Sequence, residues 1–244
     1  MLIEISKCDI RYEMLANLKK EDEVSIITLD DGKVNVFSPA MIQEVSDLLD
    51  QVPTDKGSLL IVGRPGVFSA GFDLKVLMSG DAEKAASMLR SGFTMLSRIF
   101  SFPRPIVAAC SGHAIALGAF LLCSCDYRVG SKGEFQIGAN ETRNNMIVPT
   151  PILELAKFKL AKAHKQRALL NGEMYSIENA IEPGYLDEVV DPDKLLETAI
   201  AKARDLATLG HPYYHQTKQL DQEEVMRKIN AGIDKISVSA IMPK

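Results

Sequence analysis

Two glycine-containing segments carry the residues best placed for chemistry. The first runs from Gly66 to Lys75 as GVFSAGFDLK, the second from Ser111 to Phe120 as SGHAIALGAF. Each follows an apolar, strand-like run and leads into helix-like sequence. Asp73 stands where it can cap a helix opening as LKVLM. The first peptide N–H groups of a helix have no partner inside it, so they can point at a developing anion. Either segment alone reads as a turn. Two such helix starts brought to one point would form an oxyanion hole from backbone donors only. Other chemistries lack their signatures: there is no phosphate-binding P-loop, no G-x-G-x-x-G after a strand, no G-x-S-x-G and no H-E-x-x-H. The four histidines are scattered and read as structural or surface groups.

The elements that must hold these segments follow from apolar spacing. Strands are expected at Ile10–Met14 and at the β-branched run Val24–Leu29, with a turn at Asp30-Asp31-Gly32. Ser38 as N-cap and Pro39 in the first turn open a helix near 39–51. A strand at Ser58–Val62, a helix over 81–101, a strand at 106–110, a short helix near 117–124 and a strand at 126–130 come next. Met88, Met95 and Leu96 line one helical face and read as core. Helices are expected near 151–171 and 176–182 and a strand at Leu186–Val190, and everything beyond Asp191-Pro192 reads as helical. Alternating strands and helices predict an α/β core with buried strands. The turn at Asp191-Pro192-Asp193 divides a core, 1–191, from a helical region, 192–244.

Composition excludes several classes. Of the 244 residues 46% are hydrophobic and 25% charged, ordinary values for a globular chain. The net charge of −4 comes without a basic block, which argues against a nucleic-acid partner. Four cysteines are too few for a disulfide scaffold. They lack the second pair or nearby histidines that a zinc site needs, so reduced thiols and no metal are expected. The N-terminal residues MLIEISKCDI do not read as a signal peptide, and the chain is read as cytoplasmic. Between Arg104 and Asp126 lie 21 uncharged residues, long enough to cross a bilayer. The Ser111-Gly112-His113 break splits them into a strand and a helix of interior length, and mean hydropathy is only +0.02. No membrane association is expected.

Taken in order, VFSAGFDLK, SGHAIALGAFLLCSCDYR and IGANET resemble the crotonase (enoyl-CoA hydratase/isomerase) superfamily. KVNVFSPAM (33–41) is similar to its early Leu-Asn-Ala-Leu segment. AIEPGYLDEVV (180–190) is similar to its Ala-x-x-x-Gly-Leu-Val-Asp-x-Val segment. The resemblance implies a spiral of ββα units with a C-terminal helical oligomerisation region, assembled as a homotrimer or homohexamer. It implies an acyl-CoA substrate and no cofactor beyond that thioester. It assigns the oxyanion-hole N–H groups to Phe72 and Leu117, the latter where the family usually has Gly, so that a Cβ narrows the acyl pocket. CoA and acyl contacts fall, by the same resemblance, on Val34, Ala70, Asp73, Leu74 and Phe120.

The family's hydratases hold a water between two glutamates. The first would fall at position 120, where this chain has Phe120, which cannot transfer a proton. The second falls at Glu141 in IGANET, a stretch similar to the Ile-Gly-Leu-Asn-Glu-Thr of mitochondrial delta-3,delta-2-enoyl-CoA isomerases, as is Cys125-Asp126-Tyr127-Arg128. Those isomerases rely on one glutamate. The resemblance therefore implies a shift of a double bond from C3 to C2, with Glu141 as proton shuttle and a dienolate held in the hole. Arg143, Asn144 and Asn145 depart from the apolar and glycine residues of the isomerases and would wet the pocket or bind Glu141. Lys218 could meet a CoA phosphate but reads first as a surface lysine. A hydratase with a replacement acid, another CoA-thioester chemistry, and a catalytically silent acyl-CoA-binding protein are the alternatives.

Overall fold

The computed structural model describes residues 14–241. The expected strand at Ile10–Met14 falls, but for Met14, outside the described residues. The first described strand is instead β1 (Ala16–Glu21), joined by a tight turn to β2 (Val24–Leu29) and paired with it antiparallel. From β2 onward the chain winds as a spiral whose turns repeat one plan: a strand in a large sheet, one or two short strands in a smaller layer, then a helix.

The first turn continues through β3 (Val36–Phe37) into α1 (Pro39–Leu49), which Ser38 caps by accepting the Met41 N–H. The second has β4 (Ser58–Val62), β5 (Gly66–Ser69), β6 (Gly71–Phe72), the one-turn α2 (Leu74–Leu77) and α3 (Ala82–Phe100). The third has β7 (Ile106–Cys110), β8 (Gly112–Ile115) and α4 (Leu117–Ser124), so the long uncharged run is two strands and a helix inside the protein. The fourth has β9 (Tyr127–Ser131), β10 (Gln136–Gly138) and α5 (Thr150–Lys159). Then β11 (Tyr175–Ser176) and β12 (Glu188–Val190) close the two sheets.

The large sheet has the order β1-β2-β4-β7-β9-β12 and is parallel from β2 on, while the small sheet runs β11-β10-β8-β5. β3 and β6 form a separate parallel pair. Parallel strands covered on both faces read as continuous apolar runs, and β7 is buried at all five positions. One face packs against α1, α3, α4 and α5. The other is covered by α6 (Leu195–Ala207), whose Leu195, Ala199 and Ala203 sit on Val24, Leu60, Val107 and Val129. α7 (Tyr213–Ile233) buries Val225 and Ile229 in the main core, and α8 (Val238–Ile241) ends the described chain.

Some expectations need correction. The helix expected over 151–171 stops at Lys159, because Leu160 turns extended and Ala161 N–H donates to Pro183. A single π-helical turn follows at Gln166–Leu170. Only a short 3-10 turn, Glu178–Ala180, forms within 176–182. The C-terminal region is broken between α6 and α7 at Gly210-His211-Pro212, where Pro212 has no N–H to continue a helix. The segments read as plain turns around Gly66 and Gly112 are themselves strands, too short for a period-2 pattern and formed through pairing with each other.

Candidate active site

The first segment is anchored by β3. Asn35, wholly buried with φ +51°, donates from Nδ2 to the carbonyls of Leu29 (2.9 Å) and Phe68 (3.2 Å). Ser69 Oγ donates to Asn35 O at 2.8 Å and accepts from Gly71 N–H at 3.1 Å. β6 then pairs with β3, with Phe72 opposite Phe37. Asp73 caps α2 by accepting the Lys75 N–H at 2.9 Å. Sequence reading did not single out Asn35. Its signal was an Asn beside a turn, a residue type that tolerates left-handed backbone.

The second segment reaches the same place. Ala116 N–H donates to Gly138 O at 3.0 Å, and Ala116 itself has φ +50°, uncommon for a residue with a Cβ. α4 starts at Leu117 with no side chain capping its N-terminus. A first-turn N–H there has no partner inside the helix. Gly71 (φ +93°) shows how near the segments come. A Cβ on it would lie 3.0 Å from Ala116 Cβ, 3.1 Å from Ile115 O and 3.3 Å from Leu117 N. The two segments thus run close beside each other at Gly71, with no room between them for a side chain.

Glu141 follows β10 and opens the 3-10 turn Thr142–Asn144. It is 6% exposed, and its Oε2 is buried without a hydrogen-bond partner. Burial pushes its carboxyl from the ordinary 4.5 up to about 7, with its own backbone hydrogen bond opposing the rise. Phe72, Leu74, Leu117, Glu141, Met146 and Ile241 share the lining of one narrow apolar cavity of about 50 Å³. Phe72 is held there edge-on against Phe93, with centroids 5.5 Å apart. Ile241 is tied in by the Ile147 N–H, which donates to its carbonyl at 2.9 Å.

Four expected contact residues do not line this cavity. Phe120 is wholly buried in the main core, and Asp73 is engaged as a cap. Val34, 48% exposed, and Ala70 meet each other through the Ala70 N–H to Val34 O bond of 3.0 Å. Leu117, where the family pattern usually has glycine, is among the residues that line the cavity.

The polar run after Glu141 does not bind its carboxylate. Arg143 Nε donates to Gly172 O at 2.6 Å, Asn144 Nδ2 donates to Asn140 O at 2.9 Å, and Asn145 takes the left-handed position that ends the turn. Other carboxylates are spent elsewhere. Glu134 is exposed, and Glu154 pairs with Lys157 at 2.9 Å. Asp126 accepts the Ile106 N–H and pairs with Lys218 at 2.9 Å. Lys218 is therefore no surface lysine: it is 8% exposed and neutralised in a groove of about 460 Å³ under α7. That groove is larger, but the smaller cavity holds the unpaired carboxylate.

Cys110, Cys123 and Cys125 are free and buried, with thiols pushed up to about 12, 11 and 12 by desolvation, which makes them poor nucleophiles. Cys8 lies outside the described residues. Among the described residues no cluster of three His, Cys, Asp or Glu could hold a metal, and no helix is long and apolar enough to cross a membrane.

Known proteins resemble this chain in sequence and fold. Human mitochondrial enoyl-CoA delta isomerase 1 is 28% identical over 214 residues, 86% of this chain and 69% of that protein. A Thermus thermophilus protein named as an enoyl-CoA hydratase is 29% identical over 207 residues, 82% of this chain and 81% of its own. The apo Mycobacterium tuberculosis enoyl-CoA isomerase superposes with a TM-score of 0.87 at 37% identity, covering 93% of this chain and 98% of that one. A Pseudomonas syringae enoyl-CoA hydratase/isomerase family protein gives 0.87 at 38% identity, over 91% and 96%. The family model for enoyl-CoA hydratase/isomerase matches residues 19–235, nearly the whole spiral and all of α7. This chain belongs to the enoyl-CoA hydratase/isomerase family, the crotonase superfamily.

Proposed function

We propose that this member of the family is an enoyl-CoA isomerase that moves a 3-enoyl-CoA double bond to C2. The observation that carries the reading is a single buried carboxylate, Glu141, unpaired in an apolar cavity beside the Phe72 and Leu117 peptides. The two N–H groups bind the thioester oxygen. Ionised Glu141 takes a proton from C2, the electron pair delocalises onto that oxygen as a dienolate, and the protonated Glu141 returns a proton to C4. Hydration would need a second acid or base, and Phe120 stands where the family's hydratases carry it. Turnover needs no cofactor besides the CoA thioester itself.

The hydratase names among the relatives support a second reading, in which the same hole serves water addition. A side-by-side assay separates them. Isomerisation of a 3-enoyl-CoA is expected to be readily measured, and hydration of crotonyl-CoA negligible. Fast hydration with no isomerisation would reverse the assignment. Tight acyl-CoA binding without turnover of either would make the protein a binding member.

The pH profile gives a further check. The first step uses ionised Glu141, so kcat/KM is expected to level off above pH 7 and to fall about tenfold per pH unit below it. A profile flat down to pH 5 would mean that another group, or none, takes the C2 proton.

The assembly follows the family habit: a trimer or a pair of trimers, in the cytoplasm. Leu196 on α6 and Tyr213 and Leu220 on α7 are apolar and exposed in the single chain. Sedimentation at micromolar concentration is expected to give three or six subunits. A stable monomer would contradict it.

A further inference from the structure

The cavity that holds Glu141 is closed on one side by α8. Ile241 is buried and lines it, while Ser239 in the same helical turn is exposed, so this wall is one helix thick. Two hydrogen bonds set α8 across a gap. The Ile147 N–H donates to Ile241 O at 2.9 Å, and Arg90 Nη1 on α3 donates to Ile236 O at 3.3 Å, just before the helix. α8 therefore spans from α3 to the segment that follows Glu141. Other apolar walls are set deeper. Leu89 and Phe93 stand in the middle of α3 and Ile152 in the first turn of α5, all three in the main core. Leu74 also lines the cavity but is more than half exposed, and it marks the mouth beside α2.

The volume of about 50 Å³ is a third of the roughly 150 Å³ at which an apolar protein cavity takes up a benzene. On the proposed function, the thioester oxygen sits at the Phe72 and Leu117 peptides and the carbons from C2 to C4 at Glu141. The rest of the acyl chain must then fit the apolar remainder. We infer that Ile241 is a specificity-determining residue, the end wall that restricts this enzyme to short acyl chains. The inference rests on the proposed function in taking this cavity as the acyl site. Each further methylene that finds apolar space is worth about fourfold in affinity, and one that must displace Ile241 gains nothing until the wall yields. Among the walls named, α8 is the one that can be trimmed without cutting into the middle of a long helix.

The test measures binding of saturated butyryl-, hexanoyl-, octanoyl- and dodecanoyl-CoA by calorimetry, which requires no turnover. In the parent, affinity is expected to rise from butyryl to hexanoyl and to stop rising beyond it. In Ile241→Ala, which removes the side chain beyond Cβ, the ratio of dodecanoyl to butyryl affinity is expected to rise at least about tenfold. Ile241→Val removes only the terminal methyl and should raise it about fourfold, which keeps the test open if the Ala variant folds poorly. The same order should appear in kcat/KM for the matching 3-enoyl-CoAs. An unchanged ratio in both variants would overturn the inference. So would a parent that binds dodecanoyl-CoA best and loses that preference in Leu74→Ala but not in Ile241→Ala, because the chain then leaves over the mouth. A shifted ratio in a protein that isomerises nothing would sink the proposed function and leave the end wall standing. An unshifted ratio in an active isomerase would do the reverse, and failure to bind any of the four thioesters would end both.

Discussion

Glu141→Gln is expected to slow 3-enoyl-CoA isomerisation by about 10²–10⁴ while acyl-CoA affinity changes little. Gln keeps the size and the polar end of the side chain but cannot accept a proton at neutral pH. No neighbouring acid can substitute: Asp73 caps α2, Asp126 pairs with Lys218, and Glu154 pairs with Lys157. The loss should appear in kcat, since the removed step belongs to the transition state.

Stability should move the other way. The folded protein binds the Glu141 proton more tightly than the unfolded chain, with a midpoint raised from 4.5 to about 7. This contribution is fully present below pH 4.5 and is lost as pH rises through 7. Gln carries no such penalty, so the variant should melt above the parent at pH 8, with the gap closing toward pH 5. A variant as active as the parent ends the single-glutamate mechanism. One less stable than the parent at pH 8 contradicts the buried, unpaired state of the carboxylate.

Gly71→Ala is expected to have the second largest effect, and it tests the hole rather than the base. Its Cβ would press on Ala116, Ile115 and Leu117 N at 3.0–3.3 Å from a backbone with φ +93°. These contacts are mostly backbone, so relief must come from separating the two peptides that bear the donors. The left-handed conformation costs about 1–3 kcal/mol of stability. Displacing one oxyanion-hole donor costs about 10²–10³ in kcat. Gly66→Ala is the control. Its φ of +86° imposes similar strain, but nothing lies within 4 Å of its added Cβ. That variant should lose stability and keep its kcat. Equal kcat losses in both variants would mean that strain alone, and not the spacing of the donors, controls the rate.

Elements with strong local signals were legible from the residues alone. The β-branched run of β2 and the apolar runs of β4 and β7 have the expected bounds, and Ser38-Pro39 opens α1. Each depends on its own side chains and on capping within a few positions. β5, β8 and β10 were not legible. Strands of three or four residues with glycine and polar members have little propensity of their own, and they exist through pairing with partners 23–46 residues away. The 151–171 helix failed for a similar reason: Pro183 captures Ala161 from outside the segment.

By itself the sequence determined the alternation of strands and helices, the two glycine segments, and the resemblance that singled out Glu141, because spacing and motif order are local properties of a chain. Only the tertiary structure decided that the Glu141 carboxyl is buried without a partner and pushed up to about 7. Its desolvation comes from walls supplied by β6, α2, α3, α4 and α8, distant in sequence and joined by the spiral. The same holds for the surroundings of other residues. Arg143 and Asn144 bond away from the carboxylate, Phe120 sinks into the core, and Lys218 is buried against Asp126. Burial and pairing sum over neighbours that the order of residues does not name. The chemistry of an ionisable group follows that sum.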